Sequence, residues 1–337
     1  MQHYLCTVQY NLLFGPLLMN VLKTLGRLTA GLQLHMQRLA INDGRSFNVG
    51  GFHRWKVGDA TVTKVVELEG EGFGDFLLPD AKRETLNTTG IALSHLGPRG
   101  GIKLSVHSFV VEISGKRVLV DTNVGNGKRR KVPIWNKLQT PWLADLERAG
   151  FAPNTIDMVV CTHLHIDHVG WNTTFVDGRW VPTFPRARYL FVRGEYDYWA
   201  ARQADPARAE LFADSIDPVV RAGLVDLIDA DAEIAAGLRV TSTPGHTDHH
   251  ASVLIDSNGV RALITGDFLH HPVQVLHPDW SSSFDTSPAT SVSTRLAWFA
   301  KLADERILIF GTAFPDPSAG YIVRDGRGFA FEPVESS

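Results

Sequence analysis

The sequence predicts a layered α/β fold, two packed mixed sheets with helices on the outside, and three observations predict it. Short strand-like runs recur from Trp55 onward, interspersed with segments of helical spacing. Strands and helices do not alternate strictly as βαβ units, which suits packed layers. Three predicted strands also deliver polar clusters from their C-terminal ends: His163 after Val160, His246 after Thr243 and Asp267 after Ile264. Side chains placed at strand ends face a cleft while a rigid scaffold holds them.

The chain has 337 residues, of which 44% are apolar, enough for one large core or two small ones. We divide it into an N-terminal helical arm, residues 1–50, and a main domain, residues 51–337. With 20% charged residues and a formal net charge of -3, no basic excess exists to neutralise a phosphate backbone, so nucleic acid is excluded as a partner. Two cysteines, Cys6 and Cys161, exclude a disulfide framework and zinc-finger spacing.

Taken in chain order, the run Asn11–Met19 is apolar but about half as long as a bilayer crossing needs. It lacks a basic start and a small-residue cleavage site, so no integral membrane span and no signal peptide are expected, and a cytoplasmic location follows. Leu18, Val21, Leu22, Leu25, Leu28 and Leu32 recur at helical spacing, punctuated by Lys23 and Arg27. This is an amphipathic helix that packs on the body or on a second copy as a homodimer. A membrane-surface helix and an unstructured extension are the alternatives.

Ala60–Leu68 alternates like a half-buried strand, and Glu69–Asp80, with Gly70, Gly72, Gly74 and Pro79, reads as a loop. His107–Ile113 and Arg117–Asp121 read as a hairpin turned at Ser114 and Gly115. Pro141–Ala149 is helical and stops at Gly150. Strands follow at Ile156–Cys161, Tyr189–Val192, Leu238–Thr243, Ala262–Thr265 and Arg306–Phe310, with helices at Gly194–Ala207 and Ser291–Leu302.

The decisive segment is Thr162-His163-Leu164-His165-Ile166-Asp167-His168. His163 and His165 are two apart, so on an extended backbone both imidazoles face the same side. Asp167 and His168 follow at once, where the chain could turn into a helix. Four nitrogen and oxygen donors this close favour a divalent transition metal, zinc, iron, manganese or nickel, over calcium or magnesium. Further on stand Thr243-Pro-Gly-His246 and Thr265-Gly-Asp267. His246 follows a Pro-Gly turn that aims it into a cleft, and Asp267 has two oxygens with which to bridge two cations.

These residues resemble the HxHxDH motif and its partners in the metallo-β-lactamase superfamily, over about Trp55 to Phe331. The resemblance implies the αββα sandwich of that family. It implies a first metal site at His163, His165 and His246, and a second at Asp167 and His168 with Asp267 bridging. The stretches Val120–Asn126, Gly194–Trp199 and Gly266–His271 look nearest the branch containing acyl-homoserine lactonases and methyl parathion hydrolase. A metal-dependent hydrolase of a small lactone, ester or phosphotriester is the activity implied. A thioesterase like glyoxalase II and an inactive metal-binding sensor are the alternatives; a nuclease and a β-lactamase proper fit poorly.

One departure matters. The family closes its series with a histidine in a Gly-Thr-His-Phe-Pro context, and this chain has Gly311-Thr312-Ala313-Phe314-Pro315. A methyl group cannot coordinate a metal, so the second site loses a nitrogen donor. Three readings stay open: an introduced change that slows turnover, a natural site with one working metal or a water in the gap, and a non-catalytic relative. His249, His250, His270 and His271 lie near enough in sequence to substitute, or else stand behind a ligand or at the surface.

The mechanism expected is metal-assisted hydrolysis by an activated hydroxide, with Asp167 both ligating and accepting a proton. His270 either protonates the leaving group or hydrogen-bonds a ligand carboxylate. The resemblance gives Asp121 the role of orienting a ligand histidine. Glu195, Tyr196, Tyr198 and Trp199 pack or line the pocket, and Phe73, Phe76 and Trp280 shape an apolar entrance or a dimer contact.

Overall fold

The computed structural model describes residues 37–40, 46–71, 74–326 and 328–336. The helix expected over Leu18–Leu32, and the dimer contact assigned to it, lie outside the described residues. So does Phe73.

The strands in chain order are β1 (Gln37–Ala40), β2 (Ser46–Val49), β3 (Phe52–Val57), β4 (Ala60–Glu71), β5 (Lys103–Ile113) and β6 (Lys116–Val120). Next come β7 (Met158–Cys161), β8 (Thr173–Val176), β9 (Arg179–Pro182), β10 (Arg188–Val192) and β11 (Val225–Ile228). The C-terminal part adds β12 (Glu233–Ala235), β13 (Leu238–Ser242), β14 (Ala251–Ser257), β15 (Val260–Ile264), β16 (Leu308–Phe310), β17 (Ala319–Asp325) and β18 (Gly328–Val334).

The first sheet runs β1-β2-β4-β5-β6-β7-β10-β11, with β3 also paired to β4, and the second runs β12 to β18 in sequence order. Both are mixed. β6, β7, β10 and β11 pair in parallel, as do β15 and β16, while the remaining pairs in both sheets are antiparallel. Strands β8 and β9 form a separate hairpin.

Period-two alternation explains the layers. Phe109, Val111, Val118, Val120, Val160, Leu190 and Val192 of the first sheet meet Val240, Val253, Ile255, Ala262, Ile264 and Phe310 of the second in one buried cluster. Their neighbours Val110, Leu119, Val159, Tyr189 and Phe191 point the other way, against Trp142, Leu146 and Phe212 of outer helical segments. Leu263 and Ile309 likewise leave the second sheet to pack on Phe299 and Leu302 of the helix Pro288–Asp304. The result is helix, sheet, sheet, helix.

Several boundaries differ from the sequence expectation. Glu69, Gly70 and Glu71 are strand, because pairing with Ser105, Leu104 and Lys103 overrides the glycine signal. The expected loop then holds a short helix, Gly74–Leu77. The helix expected over Gly194–Ala207 is two, Arg193–Ala200 and Pro206–Leu211, the second capped by Asp205, whose side chain accepts the Ala207 N–H. The turn at Ser114 and Gly115 has φ of 50° and 72°, as a two-residue hairpin requires. Among the described residues no helix is long and apolar enough to cross a membrane.

Candidate metal centre

Three loops meet where the two sheets adjoin. The first follows β7 and carries His163, His165, Asp167 and His168. The second joins β13 to β14 and carries His246, and the third follows β15 and carries Asp267 and His270. The Ala251 N–H donates to the Thr162 carbonyl at 3.0 Å, tying the first loop to the second sheet.

Asp267 is the centre of the cluster. Its Oδ2 lies 3.3 Å from His168 Nε2, 3.4 Å from His270 Nε2, 3.6 Å from His246 Nε2 and 4.0 Å from His163 Nε2. His165 Nδ1 faces His246 Nε2 at 3.0 Å. Three groups of donor atoms, each within 4.8 Å of one another, could hold a metal: His163 with His165 and His246, His163 with His168 and Asp267, and His246 with Asp267 and His270. Asp167 belongs to none of these three, and its Oδ1 lies 3.8 Å from His168 Nε2.

Neighbouring groups set the direction of the imidazole lone pairs. Asp121 Oδ2 takes His168 Nδ1 at 3.0 Å, and Asp285 Oδ1 takes His246 Nδ1 at 3.0 Å. With Nδ1 committed to a carboxylate, each ring turns Nε2 toward Asp267. Asp121 sits at the end of β6 in the left-handed region, φ 58°, and also accepts the Thr162 N–H at 2.8 Å. Glu195 is 1% exposed. It accepts the Leu164 N–H at 3.1 Å and the Thr247 hydroxyl at 2.7 Å, so one carboxylate holds the first and second loops together. It also accepts Trp199 Nε1 at 2.6 Å.

Beneath the loop that follows β6 lies Glu67, fully buried at a register shift in β4. It accepts the Val124 and Gly125 N–H groups, the Thr140 hydroxyl and Trp171 Nε1. Burial outweighs these donors and pushes its carboxyl up to about 7.

The charges suit a cation. Burial, with the neighbouring imidazoles adding, holds His163 and His165 neutral, well below the usual histidine range. Burial also opposes charge on His168, but Asp267, Asp121 and Asp167 outweigh it and raise the ring well above that range. Asp267 is held well below the usual carboxylate range, as His168 and His270 outweigh its burial, whereas burial raises Asp167. His163 Nε2, Asp267 Oδ1 and both nitrogens of His270 are buried without a hydrogen-bond partner. Buried polar atoms left this way cost about 1–3 kcal/mol each. A pocket that concentrates such nitrogen and oxygen donors fits a divalent transition metal.

The structure thus brings His163, His165, His168, His246, Asp267 and His270 into one cluster, with Asp167 at its rim. The other spare histidines are committed elsewhere. His250 Nε2 accepts the Asp267 N–H at 2.8 Å while its Nδ1 meets Thr243, and burial lowers it to about 3. His271 bonds the His95 carbonyl, and His249 is exposed. Sequence reasoning weighed His250 as a residue standing behind a ligand, but missed Asp285 and the way Glu195 ties two loops together. The loop partners concerned, His246 for Asp285 and Leu164 and Thr247 for Glu195, lie 31 to 52 residues away, and no local pattern marks them.

Beside the cluster opens a cavity of about 70 Å³. Phe76, Leu77, Leu104, Val106, Trp135 and Phe284 give it an apolar lining, and Asp167, His168, Asp267, His270 and Ala313 line it too. Phe76 and Phe284 meet edge to face at 5.1 Å. Trp280, expected at the entrance, is buried and stacks on His277 at 4.2 Å. A wider hollow among Asp59, Glu112, Arg117 and Asp256 is lined by no histidine.

A family model described as the metallo-beta-lactamase superfamily matches residues 101–311. An N-acyl homoserine lactonase from a Bacillus species is 24% identical over 231 residues, covering 65% of this chain and 85% of that protein. Among solved structures, AidC, a dizinc quorum-quenching lactonase in complex with its product, has a TM-score of 0.69 at 22% identity. The hydrolase AbOPH has a TM-score of 0.71 at 24% identity. Each of these two alignments covers 86% of this chain and 99% of the other.

Proposed function

Since the chain belongs to the metallo-β-lactamase superfamily, we propose that it is a metal-dependent hydrolase of a lactone carrying an apolar group. The observation that carries the reading is the convergence of imidazoles from both sheets on Asp267 Oδ2. We assign His163, His165 and His246 to a first ion and Asp167 and His168 to a second, with Asp267 between them. Zinc is the ion proposed; iron and manganese suit the same donors. When bound, such a cation supplies Lewis acidity, lowering the pKa of a water and stabilising charge on the substrate oxygen.

The chain's own residues do the rest. Asp121 and Asp285 fix the tautomers of His168 and His246. Asp167, partly exposed at the rim, is placed to take a proton from the attacking water. Phe76, Leu104, Val106 and Phe284 hold an apolar chain beside the cluster and exclude water from it. The name of the Bacillus relative favours a lactone over an aryl ester, phosphotriester or thioester.

The test pairs elemental analysis of the purified protein with a panel of acyl lactones, aryl esters, phosphotriesters and acyl thioesters. At least one transition-metal ion per chain, and fastest turnover of acyl lactones, are expected. Full activity in metal-free protein would sink the reading, and preference for thioesters would favour the glyoxalase-like alternative. Ala313 favours a second reading, an impaired relative that binds ligand without turning it over, because it lines the cavity with no donor. Ala313→His is expected to raise both ion occupancy and rate. Inertness of both forms toward the whole panel would select that second reading.

A further inference from the structure

His270 is closer to Asp267 Oδ2, at 3.4 Å, than His246 or His163 is. Its ring is 1% exposed, neither nitrogen has a hydrogen-bond partner, and it stands 4.9 Å from the His246 ring. The residue is also fixed in place. The His270 N–H donates to Gln274 Oε1 at 2.7 Å, and Gln274 Nε2 donates to the Trp280 carbonyl at 2.8 Å. That carbonyl also accepts Arg295 Nη2, and both Gln274 and Arg295 are fully buried.

A buried imidazole with neither nitrogen satisfied is unfavourable unless something fills the space it faces. His250 and His271, by contrast, spend both nitrogens on protein partners. His270 shares a donor group with His246 and Asp267, where a cation would satisfy it. We propose that His270 is a metal ligand, holding an ion on the His246 side of Asp267 from within the Asp267 loop itself. This rests on the metal-dependent reading above and excludes the proton-donor role for Nε2, since a coordinated nitrogen has no proton to give. Ala313 then serves as apolar wall.

Cobalt(II) titration of the metal-free protein, followed by its visible spectrum, tests this without measuring turnover. His270→Ala is expected to weaken cobalt affinity at least tenfold and to change the ligand-field bands. His270→Cys guards against a folding artefact, because a thiolate at this position that ligates cobalt adds a sulfur-to-metal charge-transfer band. Both results support the proposal. If the unaltered protein binds cobalt and His270→Ala titrates identically, or His270→Cys binds cobalt without the band, His270 is no ligand and the metal-dependent reading stands. If the unaltered protein binds no transition metal, that reading falls and this one with it.

Discussion

At the scale of single residues, the ligand cluster was legible because its donors crowd into short segments. Four of them fall within His163–His168, and spacing alone told which imidazoles share a side. What orients them was not legible, since Asp285 and Glu195 reach the cluster across loops with no shared pattern. Asp121 is the informative case, expected from the family resemblance and found on His168 Nδ1. Asp121→Asn keeps the shape and removes the carboxylate that fixes the tautomer. Metal affinity is expected to fall about 10–100-fold, measured by competition with a chelator, with far-UV circular dichroism unchanged.

Glu67 gives a pH prediction. Burial raises its carboxyl from the ordinary 4.5 to about 7, so between those values the folded protein holds a proton that the unfolded chain has released. Its contribution is therefore fully present below 4.5 and lost as pH rises through about 7, a change of about 3 kcal/mol. Glu67→Gln is expected to flatten that part of the profile of melting temperature against pH, recorded with a chelator present. Parallel profiles would refute the assignment.

At the scale of elements, strands were read better than the segments between them. Alternation marked β4, whereas β5, β6, β10 and β15 showed as short apolar runs because each buries both faces against a neighbouring layer. The short helices escaped notice, as four residues give no periodicity to detect. After His168, where the sequence allowed a turn into a helix, the chain forms a single 3₁₀ turn at Gly170–Asn172. Gly170 explains why: a Cβ there would overlap the carbonyl of Val124, and its N–H bonds the Asn123 carbonyl at 2.7 Å. Gly170→Ala is expected to force apart the loops after β6 and β7, costing about 3 kcal/mol or more. A lowered melting temperature together with weaker metal binding would report it; a melt unchanged within error would show that the loops yield.

At the scale of the whole molecule, the layered architecture followed from composition and alternation, while strand order did not, because register depends on which partner each face meets. The first sheet supplies His163, His165 and His168, and the second supplies His246, Asp267 and His270. A cation held by both would bind the docked state and not the unfolded chain. Its removal by chelator is expected to lower the melting temperature, by an amount corresponding to about 2.7 kcal/mol at a hundredfold excess over Kd. An identical melt with and without chelator would show that the ions do not hold the sheets.

The two sheets are also separate in sequence, with β11 ending at Ile228 and β12 beginning at Glu233. A backbone cut in residues 229–232 would yield two fragments, each owning one sheet, the first with three of the cluster's imidazoles and the second with two. Neither half has a cover for the apolar face buried between the sheets, so each on its own should be insoluble. Produced together, they should find one another through that face, and recovered metal binding would be a sensitive reporter of correct reassembly.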